Sequence, residues 1–292
     1  MYEAADLADW IEGVIRTFID ESPENSLRNE ANEKAWSTPA VGFSSGADPL
    51  YPFYKEDIGG FFLTPVEWFK AAYPETKVRP DELTVISWIL PQTEATKAEH
   101  RLRKKWPNER WARSRIYGEE CNRALRRHVV ETLKEAGHKA VAPMITAEFK
   151  TATSEKYGRA SNWSERHAAY TAGLGTFGLC DGLITPVGKA MRAGSVIAQI
   201  DIPASERRYE DHHAYCLLYA DGTCGVCIDR CPVVAISKEG HDKDKCSKHV
   251  NATSEYVRRN YGFEGYGCGL CQTGVPCESR IPPGLEKGSL VS

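Results

Sequence analysis

The sequence predicts an α+β fold, because it contains helical and strand-like segments that do not alternate in a regular order. Glu82–Pro91 is an apolar run of strand length that ends at a proline, and Gly194–Pro203 is a second such run. Tyr117–Gly137 carries apolar residues at helical spacing and ends at a glycine, as a capped helix does. These three segments indicate a mixed fold rather than a regular α/β one.

The remaining elements follow from shorter patterns. His138–Met144 predicts a short strand, and Glu165–Thr171 predicts a helix that Ser161 or Ser164 caps. The segment 21–54 is rich in Ser, Pro, Asn and Gly, so we expect it to be irregular. An amphipathic helix is predicted at the N-terminus, where apolar residues recur every three or four positions: Leu7, Trp10, Ile11, Val14, Ile15 and Phe18.

Composition bounds the class of protein. The chain has 292 residues and 41% hydrophobic content, which is sufficient for a substantial core. Its net charge of −3 gives no indication of binding to nucleic acid or to a membrane surface. The N-terminus lacks the pattern of a signal peptide, and no apolar run is long enough to cross a bilayer. We therefore expect a cytoplasmic protein, in whose reducing compartment clustered cysteines favour metal binding.

The cysteines are unevenly distributed. Cys121 and Cys180 are the two that precede residue 216, and the other eight lie between Cys216 and Cys277. This asymmetry predicts a larger cofactor and substrate domain over residues 1–205 and a small cysteine-rich domain over residues 206–292.

The eight clustered thiols match the number that two [4Fe–4S] clusters require. The central motif is Cys-x2-Cys-x3-Cys-Pro over residues 224–232, and Cys-x2-Cys follows at residues 268–271. In ferredoxin-type runs, the Cys-Pro thiol ligates the other cluster. One predicted cluster therefore takes Cys216, Cys224, Cys227 and Cys277, and the other takes Cys231, Cys246, Cys268 and Cys271. Disulfides, and two zinc sites with His212, His213 or His241 nearby, are the alternatives for the same thiols.

A glycine-rich turn follows the helix predicted at residues 165–171. Gly173, Gly175 and Gly178 have the spacing G-x-G-x-x-G, which also occurs in dinucleotide-binding folds. In those folds the motif follows a strand, whereas here it follows a helix, so we do not interpret it as a dinucleotide site.

The order of these motifs resembles the epoxyqueuosine reductase family, which is related to the corrinoid-dependent reductive dehalogenases. The resemblance rests on ERHAAYTAGLGTFG, then GSVIAQIDIP, the Cys-Pro run, Lys245–Cys246 and YGCGLCQ, and it covers roughly residues 80–282. It implies a nitroreductase-like, cobalamin-binding α+β domain followed by a ferredoxin-like module with two [4Fe–4S] clusters. It also implies that the clusters reduce a base-off cobalamin, whose cobalt then reduces the substrate.

The resemblance suggests cofactor-binding residues along the glycine-rich turn and the following strand. We expect the corrin to contact Gly173, Leu174, Gly175, Phe177, Gly178, Cys180, Gly194 and Ser195. Reduction also requires a proton donor, for which Asp181, Tyr170 and His167 are the candidates. For each of these three residues a structural role is the alternative.

The sequence departs from the family pattern at several positions. Asp221 stands where the first cysteine of the run is expected, and Cys216 is its substitute. Leu179 and Cys180 replace a Lys/Arg-Asn pair, and Arg159 stands near the place of the family's general acid. The chain also stops soon after the second thiol group, without the helical-repeat extension that holds tRNA.

We therefore expect a small electrophilic substrate rather than tRNA, with electrons from an external donor such as flavodoxin or ferredoxin. Two alternatives remain open. The protein could be an electron-transfer or corrinoid-reducing partner of another protein, with no substrate of its own. A flavin could also take the place of the corrinoid.

Overall fold

The computed structural model describes residues 4–286, in which a four-stranded antiparallel sheet carries helices on both faces. The strand order is β1 (Ala40–Ser45), β2 (Thr84–Pro91), β8 (Met191–Ala198) and β3 (Ala140–Val141). This mixture of helices with an antiparallel sheet agrees with the predicted α+β class. The strands expected within 82–91, 194–203 and 138–144 are all present.

The central strand β2 is buried along its whole length, which explains its continuous apolar sequence. Val85 and Ile89 belong to the core on one face of the sheet, and Ile86 and Trp88 belong to the core on the other. Successive strand residues point to opposite faces, so a strand that is covered on both sides requires apolar residues at both sets of positions.

One face of the sheet is covered by α1 (Ala4–Glu21) and α5 (Glu109–Glu135). Ile11, Ile15 and Ile19 of α1 are buried there at helical spacing, so the predicted N-terminal helix is confirmed. Helix α5 begins eight residues before the predicted Tyr117. Its first turn is capped by Asn108, whose side chain accepts a hydrogen bond of 2.9 Å from the Trp111 amide.

The opposite face carries α2 (Leu50–Ile58), α3 (Pro65–Ala72) and α6 (Glu165–Thr171). Ser164 caps α6, as one of the two predicted capping residues. The prediction of an irregular segment over 21–54 was wrong for its second half, which contains β1 and the start of α2. Strand β1 has only weak strand propensity of its own and is stabilised by pairing with β2.

Shorter elements connect these layers and build the cysteine-rich region. Helix α4 (Glu94–Arg101) follows β2. Three short hairpins are β4–β5 (Thr151–Ser154 and Gly158–Ser161), β6–β7 (Thr176–Phe177 and Leu183–Ile184) and β9–β10 (Ile236–Ser237 and Gly240–His241). The helices of the cysteine-rich region are α7 (Leu217–Asp221), α8 (Val226–Asp229) and α9 (Lys243–Tyr261).

The hydrophobic core crosses the predicted domain boundary at residue 205. Tyr215, Ile236 and Ile281 belong to the same apolar cluster as Phe69 and Ile197 from the earlier part of the chain. The boundary itself stays a prediction. Among residues 4–286, no helix is both long and apolar enough to span a bilayer.

Candidate functional site

Two cavities are lined by the clustered cysteines, and each cavity holds one of the two predicted sets. The smaller cavity has a volume of about 20 Å³, and its wall includes Cys216, Cys224, Cys227 and Cys277. We call these four residues the first thiol set. The larger cavity has a volume of about 250 Å³, and its wall includes Cys231, Cys246, Cys268 and Cys271. We call these four residues the second thiol set.

Short helices bring the first thiol set together. Cys216 is the N-cap residue of α7, and Cys227 lies within α8, with Cys224 two residues before that helix begins. Gly222 ends α7 in the left-handed conformation, with a φ of 74°, and so reverses the chain between these cysteines. Cys277 arrives from the C-terminal loop.

The second thiol set is assembled from three segments. Cys231 follows α8, and its sulfur accepts a hydrogen bond of 3.1 Å from the Ala235 amide. Cys246 lies in the first turn of α9, which Asp242 caps. Cys268 and Cys271 belong to one tight loop. His100 contacts this loop from α4, since its Nε2 lies 2.8 Å from the carbonyl oxygen of Cys268.

Cys180 is a ninth cysteine at this site. It is buried, lines the larger cavity and interacts with Cys227 from the first set and Cys271 from the second. Its sulfur accepts a hydrogen bond of 3.3 Å from the buried Lys189 ammonium, and Lys189 lines the smaller cavity. Hydrogen bonds from Cys227 and Cys271, together with the charge of Lys189, hold the pKa of Cys180 well below its usual value.

The chemistry of these residues fits iron–sulfur clusters. All ten cysteines lie within residues 4–286, and none of them is in a disulfide. In the same part of the chain, no three His, Cys, Asp or Glu side chains are arranged to hold a single metal ion. Thiolates are the ligands that [4Fe–4S] clusters use, and a buried ammonium offsets the negative charge of such a site. Each thiol set would hold one cluster.

The larger cavity also has a strongly cationic wall. Arg115, Arg166 and Arg192 line it, and no Asp or Glu among the described residues does. Nε of Arg192 lies 2.8 Å from the Glu119 carboxylate, but its Nη2 has no hydrogen-bond partner within residues 4–286. Burial and the charge of Arg192 lower the pKa of Arg115 to about 10.

A buried amide completes the polar part of this wall. The Nε2 atom of Gln92 donates a hydrogen bond of 2.8 Å to Ser114, while its Oε1 atom has no partner among the described residues. Unpaired buried acceptors are uncommon in folded proteins. Oε1 is therefore available to a donor on a bound molecule.

Asp181, the first candidate proton donor, lines neither cavity but contacts a residue in the wall of the larger one. Its Oδ2 is 3.0 Å from Nδ1 of His241, which lines that cavity. Hydrogen bonds to Asp181 and Cys246 raise the pKa of His241 to about 10, so the imidazole is protonated at neutral pH. Asp181 itself adopts a left-handed conformation, with a φ of 56°.

His167 and Tyr170 line neither cavity. His167 packs between Tyr54 and Phe177, and its Nδ1 lies 2.7 Å from the hydroxyl of Ser164. Burial lowers the pKa of His167 to about 3, so its imidazole is neutral and cannot donate a proton from a charged form at pH 7. Tyr170 is buried against Phe177 and Tyr209. These contacts favour the structural alternative for both residues.

The glycines expected to contact a corrin are packed against the protein itself. A Cβ atom on Gly173 would lie 2.5 Å from the carbonyl oxygen of Glu206, and one on Gly175 would lie 2.2 Å from that of Ile184. Gly178 packs on the Ile184 side chain, and Gly194 packs on the Trp88 ring. Internal packing therefore accounts for the absence of side chains at all four positions.

The other residues expected to bind the cofactor have varied surroundings. Ser195 is fully buried and donates a hydrogen bond to the Glu165 carboxylate, while Leu174 and Phe177 pack in the apolar core. Cys180 is the one member of the predicted cofactor-binding group that lines the larger cavity.

The larger cavity does not by itself enclose a whole corrinoid of the kind that the resemblance implies. The larger cavity, at about 250 Å³, lies below the range of roughly 300–1,000 Å³ that encloses drug-sized ligands, and a corrinoid is larger than those. The same cavity is lined by the second thiol set.

Several residues of the site carry no motif that sequence reasoning could use. Lys189, Gln92, Arg115 and Arg192 come from separate segments, and each is an ordinary residue in its local sequence. Only the fold brings them to the cavities. A weak signal did exist for Cys180, which stands apart from the other cysteines but within the glycine-rich turn.

Known proteins resemble part of this chain in sequence and nearly the whole chain in fold. No protein-family model matches the chain. The chain is 32% identical over 119 residues to an epoxyqueuosine reductase of Bacillus anthracis, and 30% identical over 119 residues to one of Staphylococcus aureus. Each match covers 39% of this chain and 29% of the relative.

A solved structure shares the fold over nearly the whole chain. It is the crystal structure of an epoxyqueuosine reductase with an epoxyqueuosine-modified tRNA stem loop. The superposition has a TM-score of 0.50 at 17% identity, and it covers 97% of this chain and 68% of that one. The chain is thus similar to epoxyqueuosine reductases in sequence over 119 residues and in fold over nearly its whole length, and the matched segment spans less than a third of the length of each of the two relatives in the sequence matches.

Proposed function

We propose that this protein is an iron–sulfur oxidoreductase that carries one [4Fe–4S] cluster on each thiol set. Single electrons from an external donor pass through the two clusters to an acceptor in the larger cavity, which then reduces a small electrophilic substrate. The observation that carries this proposal is the division of eight thiols between two adjacent cavities. A second argument is the ammonium of Lys189, which is buried among thiols and requires negative charge close by.

The acceptor lies at the end of this electron path. Cobalamin is the acceptor that the family resemblance implies, and a flavin is the alternative; the cavity volume favours a smaller molecule or a partly enclosed one. Arg115 and Arg192 would hold an anionic group there, and Gln92 would accept a hydrogen bond. The protonated His241 beside Asp181 is the group on the wall best placed to supply a proton.

Metal analysis after anaerobic purification tests this proposal. We expect about eight iron and eight sulfide per chain, and EPR signals of reduced [4Fe–4S] clusters after addition of dithionite. A preparation that contains zinc or intermolecular disulfides in place of iron would contradict the proposal.

Addition of cobalamin to the reduced protein then tests the acceptor. A base-off cob(II)alamin EPR signal that requires the protein would support the corrinoid. An unchanged cobalt spectrum, with eight irons present, would exclude it as the acceptor and direct the same titration to flavins.

The assignment of ligands is tested by Cys231→Ala. Because this thiol belongs to the second set alone, we expect iron and sulfide to fall to about half, with one EPR signal lost. Cys121→Ala is the matched control, since Cys121 is buried on α5 and lines neither cavity. Equal iron content in both variants would contradict the assignment.

A further inference from the structure

Lys189 and Cys180 occupy the wall between the two cavities. Nζ of Lys189 donates a hydrogen bond of 3.3 Å to the sulfur of Cys180, and it also interacts with the thiol of Cys277. Lys189 lines the cavity of the first thiol set, whereas Cys180 lines the cavity of the second. The pair therefore connects the two sites.

The position of Lys189 is built by close backbone contacts. Its amide donates to the carbonyl oxygens of Cys277, at 2.8 Å, and Glu278, at 3.0 Å. Gly182 leaves room for its side chain, since a Cβ there would lie 2.8 Å from Cδ of the lysine. Gly188, with a φ of 87°, lets the preceding turn approach Glu278. The ammonium is thus held in place by the same loop that carries Cys277.

The groups that surround the buried ammonium of Lys189 are cysteine side chains rather than carboxylates. Within residues 4–286, no carboxylate oxygen lies within 4.0 Å of the Lys189 ammonium, although the side chain is only 3% exposed. The polar partners of the ammonium are the sulfur atoms of Cys180 and Cys277. A buried charge without a partner is costly, so the site requires an anion.

Lys97 provides the contrast within the same chain. It is also a buried lysine, but its ammonium lies 3.2 Å from the Glu94 carboxylate and donates a hydrogen bond of 2.7 Å to Ser279. Lys97 lines neither cavity. Lys97 therefore has a carboxylate as its partner, whereas the partners of the Lys189 ammonium are sulfur atoms.

We propose that Lys189 and Cys180 form a charged bridge between the two cluster sites, in which Lys189 stabilises the reduced clusters and Cys180 positions the ammonium without ligating iron. This inference rests on the proposed clusters. When iron replaces the protons of Cys227 and Cys271, those thiols can no longer donate to Cys180, and Lys189 remains as its donor. The bridge therefore persists when the clusters are present.

The expected effect is on reduction potential. Each cluster takes up one electron from a low-potential donor and becomes one charge more negative, while no bond to iron forms or breaks. A fixed positive charge in a poorly solvated site stabilises this added charge. Without the ammonium, reduction becomes less favourable, and the midpoint potential becomes more negative.

An EPR-monitored redox titration of the reconstituted full chain tests the bridge. In Lys189→Met, we expect iron and sulfide to stay at the wild-type level and the midpoint potential of at least one cluster to become more negative. Lys189→Arg keeps the charge and should restore most of the potential. Lys97→Met is the matched control, and we expect it to leave both potentials unchanged.

Iron analysis of Cys180→Ala separates positioning from ligation. We expect this variant to retain both clusters; a loss of about half of the iron would make Cys180 a ligand and overturn the bridge. Equal potentials in wild type and Lys189→Met, with full iron in both, would also overturn it. If the wild-type protein binds no iron, the proposed function itself fails, and that result is distinct from either of these.

Discussion

Arg126 shows how a single side chain joins three elements behind the site. It is fully buried on α5, and its guanidinium contacts Glu119 at 3.1 Å and Glu165, in the first turn of α6, at 3.0 Å. It also donates to the carbonyl oxygen of Ala193 on β8. Burial raises the pKa of Glu165, and the charge of Arg126 opposes that rise.

Arg126→Met tests this network at the residue scale. Removal of one partner of a buried ion pair leaves the carboxylates uncompensated, so we expect the free energy of unfolding at pH 7 to fall by about 3 kcal/mol. The loss should be smaller at about pH 5. A carboxyl group whose pKa is raised in the folded state binds its proton more tightly there, so its stability contribution is lost as pH rises.

Urea denaturation at the two pH values measures this effect. Arg16→Met is the control, because the Arg16–Glu12 pair is solvent-exposed and we expect its loss to cost under about 0.5 kcal/mol. If the free energy of unfolding fell equally in the two variants, or fell more at pH 5 than at pH 7 in Arg126→Met, the proposed role of Arg126 would be contradicted.

At the scale of elements, the position of the second thiol set depends on α5. Gly269 lies in the loop between Cys268 and Cys271, with a φ of 66°, and a Cβ there would be 1.9 Å from the Trp111 ring. Trp111 also stacks on His100, which contacts the carbonyl oxygen of Cys268. The loop is therefore shaped against a rigid aromatic surface.

Gly269→Ala should displace this loop and reduce the iron content by about half, because the second set would lose its geometry. Gly137→Ala is a matched control outside both thiol sets: its φ of 89° imposes similar backbone strain, but no non-adjacent atom among the described residues lies within 4 Å of the added Cβ. We expect the control to retain all of its iron. Similar iron loss in both variants would indicate backbone strain rather than the contact with Trp111.

At the scale of the whole molecule, the cysteine-rich region and the sheet share one apolar core. Tyr209, Tyr215 and Val275 pack in the same cluster as Leu183 and Ile184. Apolar surface on either side of residue 205 is therefore buried against the other side.

This shared core predicts one cooperative unfolding transition for the full chain. Far-UV circular dichroism and visible cluster absorbance should change at the same temperature, since unfolding of either part exposes the core of the other. Bleaching of the clusters well below the loss of secondary structure would instead indicate two independently stable domains.

The sequence by itself determined the α+β class, the strands β2, β3 and β8, the helices α1 and α6, most of α5, and the two groups of cysteines. These features follow from local periodicity and from the spacing of ligands along the chain, which need no knowledge of distant residues. The start of α5 was missed because residues 109–116 carry arginine at three of eight positions and show no clear apolar face, and β1 was missed because it depends on pairing with β2.

Only the tertiary structure decided how the glycine-rich turn is used and what surrounds the thiols. The glycines that suggested a corrin surface are packed on other residues: Gly173 on Glu206 and Gly194 on Trp88, which are distant in the sequence, and Gly175 and Gly178 on the nearby Ile184. The contact of Lys189 with Cys180 likewise has no signature in the sequence. Close packing and charge pairing between separate segments arise only when the chain folds. They place the ammonium of Lys189 between the two thiol sets.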